Sequence, residues 1–144
     1  MTRITTTLMA AAAFVVAAGI ASAQAMEANI PFAFHADGKA LDAGTYRVRV
    51  YRTESGNSTM IISNRSAKQL LTFLYPSGNA QPAWLKAGNA VLSFQCEEGR
   101  CTLARVWMGS ESETVYRVPA PKMRNGAAVT TAEIVLHPAR NSGE

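Results

Sequence analysis

Apolar and polar residues alternate along several short stretches of this chain, which is the pattern of half-buried β-strands. The clearest case lies between residues 45 and 51, where Tyr46, Val48 and Val50 are separated by mostly polar side chains. Successive side chains of a strand point to opposite faces of a sheet. We therefore predict a strand here with one buried face and one face in contact with water.

Similar patterns predict further strands on both sides of this one. Ile30, Phe32 and Phe34 alternate as a single strand, which Pro31 would place at an edge or at a strand start. Residues 76–89 form the longest irregular stretch. The remaining predicted strands cover residues 59–63, 69–75, 91–95, 102–108, 113–118 and 129–136. About eight short strands predict an all-β fold, either an antiparallel β-sandwich or a small β-barrel.

The N-terminus has a different pattern, which is typical of a secretory signal. Arg3 is followed by an apolar run from Leu8 to Ile20, and then by the small residues of Ala21–Ala23. The apolar run is shorter than the ~20 residues that a transmembrane helix needs. We therefore predict that residues 1–23 are a cleaved signal peptide, that residues 24–144 form one β domain without a transmembrane segment, and that the protein is secreted or periplasmic.

Cys96 and Cys101 are the only two cysteines, and an even pair in an exported chain predicts a disulfide. Both flanking stretches have strand character. The four residues Glu97–Arg100 between them predict a hairpin loop that would place the two cysteines on opposite strands. A zinc or redox role is the alternative, but two cysteines without a nearby histidine make a poor metal site. We predict no cofactor and no metal.

Two blocks of the sequence resemble a group of short exported proteins common among acidobacteria. The first is the Ile30–Phe34 strand followed by the turn and strand of Leu41–Val48, and the second is the segment Leu103–Trp107. Asp42 stands where the group usually has proline, and the later hairpin of the group often lacks cysteines. The resemblance implies export and a β domain, and it implies no reaction because the group has no assigned activity.

Charge suggests a candidate surface on the wet face of the predicted sheet. The formal net charge is +4, and it becomes +3 if the signal peptide with Arg3 is removed. Five basic residues fall on or beside neighbouring strands and could form an anion-binding patch: Arg47, Arg49, Arg52, Arg65 and Lys68. The alternative is an ordinary solvated face with edge protection. Export and the absence of stacking aromatics among these residues disfavour nucleic acid.

Two further sets of residues suggest competing functions. Trp84 and Trp107 could line a concavity for an apolar ligand, which favours a non-enzymatic binding module of the cell envelope. Strand patterns at residues 30–34 and 129–136 would instead suit an envelope assembly protein with exposed sheet edges. A hydrolase is the third alternative, with His35, Ser110 and Glu111 as its candidate residues, but they match no catalytic motif. The ligand, the partner and the oligomeric state stay open.

Overall fold

The computed structural model describes residues 25–66, 68–109, 112, 114–120 and 128–139. These residues form eleven strands and one short helix. The predicted signal peptide, residues 1–23, lies outside the described residues. In chain order the elements are β1 (Met26–Ile30), β2 (Phe34–Ala36), β3 (Lys39–Leu41), β4 (Gly44–Arg52), β5 (Ser58–Asn64), β6 (Gln69–Pro76), α1 (Pro82–Ala87), β7 (Val91–Glu97), β8 (Arg100–Trp107), β9 (Tyr116–Arg117), β10 (Val129–Val135) and β11 (His137–Pro138).

The strands belong to one open, mixed sheet, and the all-β prediction is confirmed. Neighbouring strands follow the order β10, β7, β8, β9, β6, β5, β4, β1, β11, with the β2–β3 hairpin joined to β8. The β2–β8 pair is parallel, and the other strand pairs of the described residues are antiparallel. Leu136 alone separates the two end strands, β10 and β11. The sheet is therefore rolled so that its two ends approach each other, and the parallel β2–β8 pair makes it mixed rather than purely antiparallel as predicted.

The inner face of the rolled sheet encloses one main core. The predicted alternation of β4 is confirmed, because Tyr46 and Val48 are buried while Arg47 and Arg49 are not. Four aromatic rings cross this core in edge-to-face contacts. Phe34 contacts both Tyr46 and Phe94, each with ring centres 5.3 Å apart, and Phe32 lies 5.1 Å from Phe94. Such contacts join strands from both ends of the sheet.

Three details of the strand prediction were wrong. The predicted strand of residues 30–34 is divided at Pro31, because proline lacks the N–H that a ladder needs. The first part pairs with β4 and β11, so it is not an edge, and the second pairs with β3 and β8. Among the described residues of the predicted strand 113–118, Tyr116–Arg117 alone forms a strand. The irregular stretch of residues 76–89 contains α1, which begins with Pro82 and is followed by Gly88, the C-terminal cap in the left-handed conformation.

The predicted disulfide between Cys96 and Cys101 is confirmed. The two cysteines are direct cross-strand partners in the β7–β8 hairpin. The loop is shorter than predicted, because Glu97 pairs with Arg100 and leaves two residues in the turn. Glu98 and Gly99 have φ angles of 51° and 79°, the positive values that a tight type I′ turn requires at both positions. The ladder therefore continues one pair beyond the bridge.

Reduction of this disulfide should weaken the fold only modestly. The bridge closes a loop with a sequence separation of 5, for which the chain-entropy model gives about 2 kcal/mol. We expect the double variant Cys96→Ala, Cys101→Ala to keep its far-ultraviolet circular dichroism spectrum and to lose about 2 kcal/mol of unfolding free energy in urea. Complete unfolding of the variant at room temperature would contradict the view that the hairpin is already held by its ladder.

The described part of the chain contains no helix with the length and apolar content needed to cross a bilayer.

Candidate functional site

The two tryptophans proposed for a ligand concavity come together, but they fill the space themselves. Their rings are stacked, with centres 6.3 Å apart and planes 18° apart. Trp107 is fully buried and Trp84 is 3% exposed, in a small second core with Ala80, Val91 and Val115. The Trp107 Nε1–H donates to the Ser112 carbonyl at 3.0 Å. The indoles therefore dock α1 against the sheet and leave no open concavity between them.

Two of the five basic residues proposed for an anion-binding patch do meet in a cleft. Arg47 lies on β4, and Arg65 lies in the turn between β5 and β6. The cleft has a volume of about 310 Å³ and opens on the outer face of the sheet. We call it the outer cleft, and its lining residues are Glu27, Thr45, Arg47, Ser63, Asn64 and Arg65. This volume is at the lower end of the range for small-molecule sites.

Strand register explains why these side chains converge. Glu27, Arg47 and Ser63 are direct cross-strand partners on β1, β4 and β5, so they form one row across the outer face. Thr45 lies two residues before Arg47 and therefore shares its face. The turn that carries Arg65 is fixed at Asn64, whose side-chain oxygen accepts the Lys68 N–H at 3.1 Å. Three neighbouring strands and one hydrogen-bonded turn therefore form the lining of the outer cleft.

The remaining three basic residues lie outside the cleft. Arg49 shares the outer face with Arg47 but is one row farther along β4, opposite Ile61. Arg52 ends β4, and its position in the alternation assigns it to the other face. Lys68 is exposed beside the β5–β6 turn. The predicted patch is therefore divided, with Arg47 and Arg65 together and the other three apart.

The chemistry of the outer cleft suits a small polar ligand with a negative charge. Two guanidinium groups offer several N–H donors each, and the planar fork of arginine matches carboxylates and phosphates. Thr45 and Ser63 contribute hydroxyls, and Asn64 contributes an amide. Glu27 supplies one carboxylate, which can accept a hydrogen bond from a ligand hydroxyl. The arrangement favours ligands that combine an anionic group with hydroxyls.

Tyr46 supports the cleft from the inner side of β4. Its hydroxyl donates to the Asp42 carbonyl at 2.6 Å, across the turn that leads into the strand. Burial raises the pKa of Tyr46 above its usual value of 10.0, a hydrogen bond with the Asn64 side chain lowers that pKa, and the nearby Asp42 carboxylate raises it. Tyr46 and Asn64 are also cross-strand partners. The buried tyrosine therefore holds one wall of the cleft in place.

Of the three candidate catalytic residues, only His35 lies within the described part of the chain. His35 lies on β2, where its Nε2 is 3.2 Å from an Arg100 nitrogen. Ser110 and Glu111 lie outside the described residues. No group of three potential metal ligands occurs among the residues that the structure describes.

Sequence reasoning missed an exposed apolar surface on β6. Leu71, Phe73 and Tyr75 all point away from the core and are about half exposed. Both faces of this strand carry apolar residues, so its sequence did not indicate which face would be buried.

Comparisons with known proteins assign neither a family nor a function to this chain. The chain matches no protein-family model, no curated protein and no solved structure. The resemblance to exported acidobacterial proteins therefore stays a prediction, and the functional case depends on the chain's own chemistry.

Proposed function

We propose that this protein is an exported, non-enzymatic binding module of the cell envelope that holds an anionic group in its outer cleft. The supporting observation is that Arg47 and Arg65 converge with two hydroxyls and an amide in one cleft. The signal-like N-terminus and the disulfide both agree with a location outside the cytoplasm. The ligand would be a carboxylated or phosphorylated component of the envelope.

Isothermal titration calorimetry can test this proposal with soluble polymers. We expect polygalacturonate or polyphosphate to bind and neutral dextran not to bind, because the guanidinium groups need an anionic partner. Carboxylate binding without phosphate binding would identify the source as a uronate-like glycan, and the reverse would identify a phosphate ester. Arg65→Ala should weaken binding by about tenfold, the effect of losing one charge-assisted hydrogen bond at a partly exposed site.

Arg52→Ala is the matched control, since Arg52 is also exposed but lies outside the cleft. It should change the affinity by no more than about twofold, as for an exposed charge without a specific contact. Equal losses in the two variants would mean that only the net charge matters. Absence of binding to either anionic polymer would overturn the proposed ligand class.

An envelope assembly protein is a second candidate, favoured by the strand β10. Its hydrogen-bonded partner among the described strands is β7, and Val129 and Val135 on it are exposed. A strand that is paired on one side can accept another strand. Concentration-dependent oligomers in light scattering would support this alternative.

A further inference from the structure

Strand β6 exposes its more apolar face and buries the other. Leu71, Phe73 and Tyr75 are 54%, 56% and 48% exposed, and we call them the apolar stripe. On the buried face, Thr72 lies between Leu70 and Leu74 and is 1% exposed. In most strands the large apolar side chains are buried and the polar ones are exposed. Strand β6 reverses this distribution at Thr72 and at the apolar stripe, which indicates that the exposed face has a role of its own.

Specific contacts hold this register. Thr72 donates its hydroxyl hydrogen to the Asp37 carboxylate at 3.0 Å, so the buried hydroxyl has a partner in the β2–β3 turn. Six consecutive cross-strand pairs with β5 fix the strand along its length. A slip by one residue would bury the apolar stripe and expose the other face. The fold therefore presents the apolar stripe to the surroundings although the opposite register would bury more apolar surface.

Arginines surround the apolar stripe. Arg117 is the cross-strand partner of Tyr75, and its guanidinium carbon is 5.7 Å from the centre of the Tyr75 ring. Arg105 is the next residue in that row, opposite Arg117. Arg49 occupies the row of Leu71, two strands away. None of the described residues in the outer-face rows between these arginines and the apolar stripe is a carboxylate.

We propose that the apolar stripe and its three arginines form a docking surface for an anionic lipid bilayer. Leu, Phe and Tyr side chains enter the boundary between head groups and acyl chains, while arginines contact the anionic head groups. A second copy of this chain is a poorer occupant, since it would bring the same arginines against one another. The docking surface shares no residue with the outer cleft, so this proposal goes beyond the proposed function. Membrane binding can be disproved while anion binding in the outer cleft is retained.

Vesicle flotation of the full chain tests the docking surface. We expect the protein to float with vesicles of phosphatidylcholine mixed with phosphatidylglycerol, and not with phosphatidylcholine alone. The double variant Leu71→Ser, Phe73→Ser should bind the mixed vesicles at least about tenfold more weakly, because two buried apolar contacts with the membrane are lost. Leu85→Ser is the matched control, since Leu85 is 55% exposed on α1, and it should bind like the wild type.

A second variant tests the electrostatic contribution to membrane binding. Arg49→Gln, Arg117→Gln retains the apolar stripe and should also weaken binding to the mixed vesicles about tenfold, because each basic residue near such a surface contributes. Equal binding to both vesicle types, or no binding to either, would overturn the proposal. A dimer that Leu71→Ser, Phe73→Ser converts to a monomer, without any vesicle binding, would assign the apolar stripe to self-association and also overturn it.

Discussion

Replacing Trp107 with alanine should cost about 3–5 kcal/mol of unfolding free energy, the range for removing a fully buried large aromatic residue. Trp107 is 0% exposed, stacks on Trp84 and donates its Nε1–H to the Ser112 carbonyl. A domain of this size is typically stable by only about 5–15 kcal/mol. The loss should therefore be a large fraction of the free energy of unfolding. Urea denaturation followed by circular dichroism measures the loss.

A comparison of two phenylalanine variants separates packing from hydrogen bonding. Trp107→Phe loses a donor that has a partner, whereas the buried Nε1 of Trp84 has no hydrogen-bond partner in the described structure. We expect Trp107→Phe to be more destabilising than Trp84→Phe, by about 1 kcal/mol or more. A loss below about 1 kcal/mol for Trp107→Ala would mean that the tryptophan pair is not part of a packed core.

Replacing Tyr46 with phenylalanine should cost about 0.5–1.5 kcal/mol, because the hydrogen bond that its hydroxyl donates to the Asp42 carbonyl is lost. Tyr51→Phe is the control, since Tyr51 lies on the outer face of the same strand and is only half-buried. Its loss should be smaller. Equal losses for the two variants would show that the hydrogen bond to Asp42 contributes little.

The cost of Tyr46→Phe should depend on pH in a defined direction. Burial raises the pKa of Tyr46 in the folded state above the unfolded value of 10.0, so the folded protein retains the phenolic proton more strongly. The stabilisation is complete below pH 10.0 and decreases as the pH rises through the folded-state pKa. The difference in unfolding free energy between wild type and Tyr46→Phe should therefore narrow in alkaline solution. A difference that widens above pH 10.0 would contradict the direction of the shift.

The sequence predicted those features that depend on local chemistry. Alternation identified β4 and its buried face, and two cysteines separated by turn residues identified the disulfide hairpin. The division at Pro31 and the two-residue turn at Glu98–Gly99 were missed, because strand pairing decides where a local pattern is broken or extended. Pro31 and Gly99 indicated where a strand is interrupted or turns, but they did not show how many residues the interruption or the turn contains.

The candidate site was only partly predictable for the same reason. Alternation assigned Arg47 and Arg49 to one face, but it could not show that Glu27 from β1 and Arg65 from a turn complete a cleft, because that depends on the order of strands in the sheet. The sequence suggested a concavity lined by Trp84 and Trp107, but it could not show that the two indoles stack and are buried where α1 packs on the sheet. The face that β6 exposes depends on the bond between Thr72 and Asp37, which are far apart in sequence.

Amide chemical-shift mapping can show whether the outer cleft holds an anionic group. The protein, labelled with ¹⁵N, would be titrated with polygalacturonate and, separately, with polyphosphate. We expect the largest shift changes with at least one polymer to lie at Thr45, Arg47 and residues 63–65, and to decrease in Arg65→Ala. Largest changes at α1 or along β10, with the outer cleft unaffected by both polymers, would contradict this expectation.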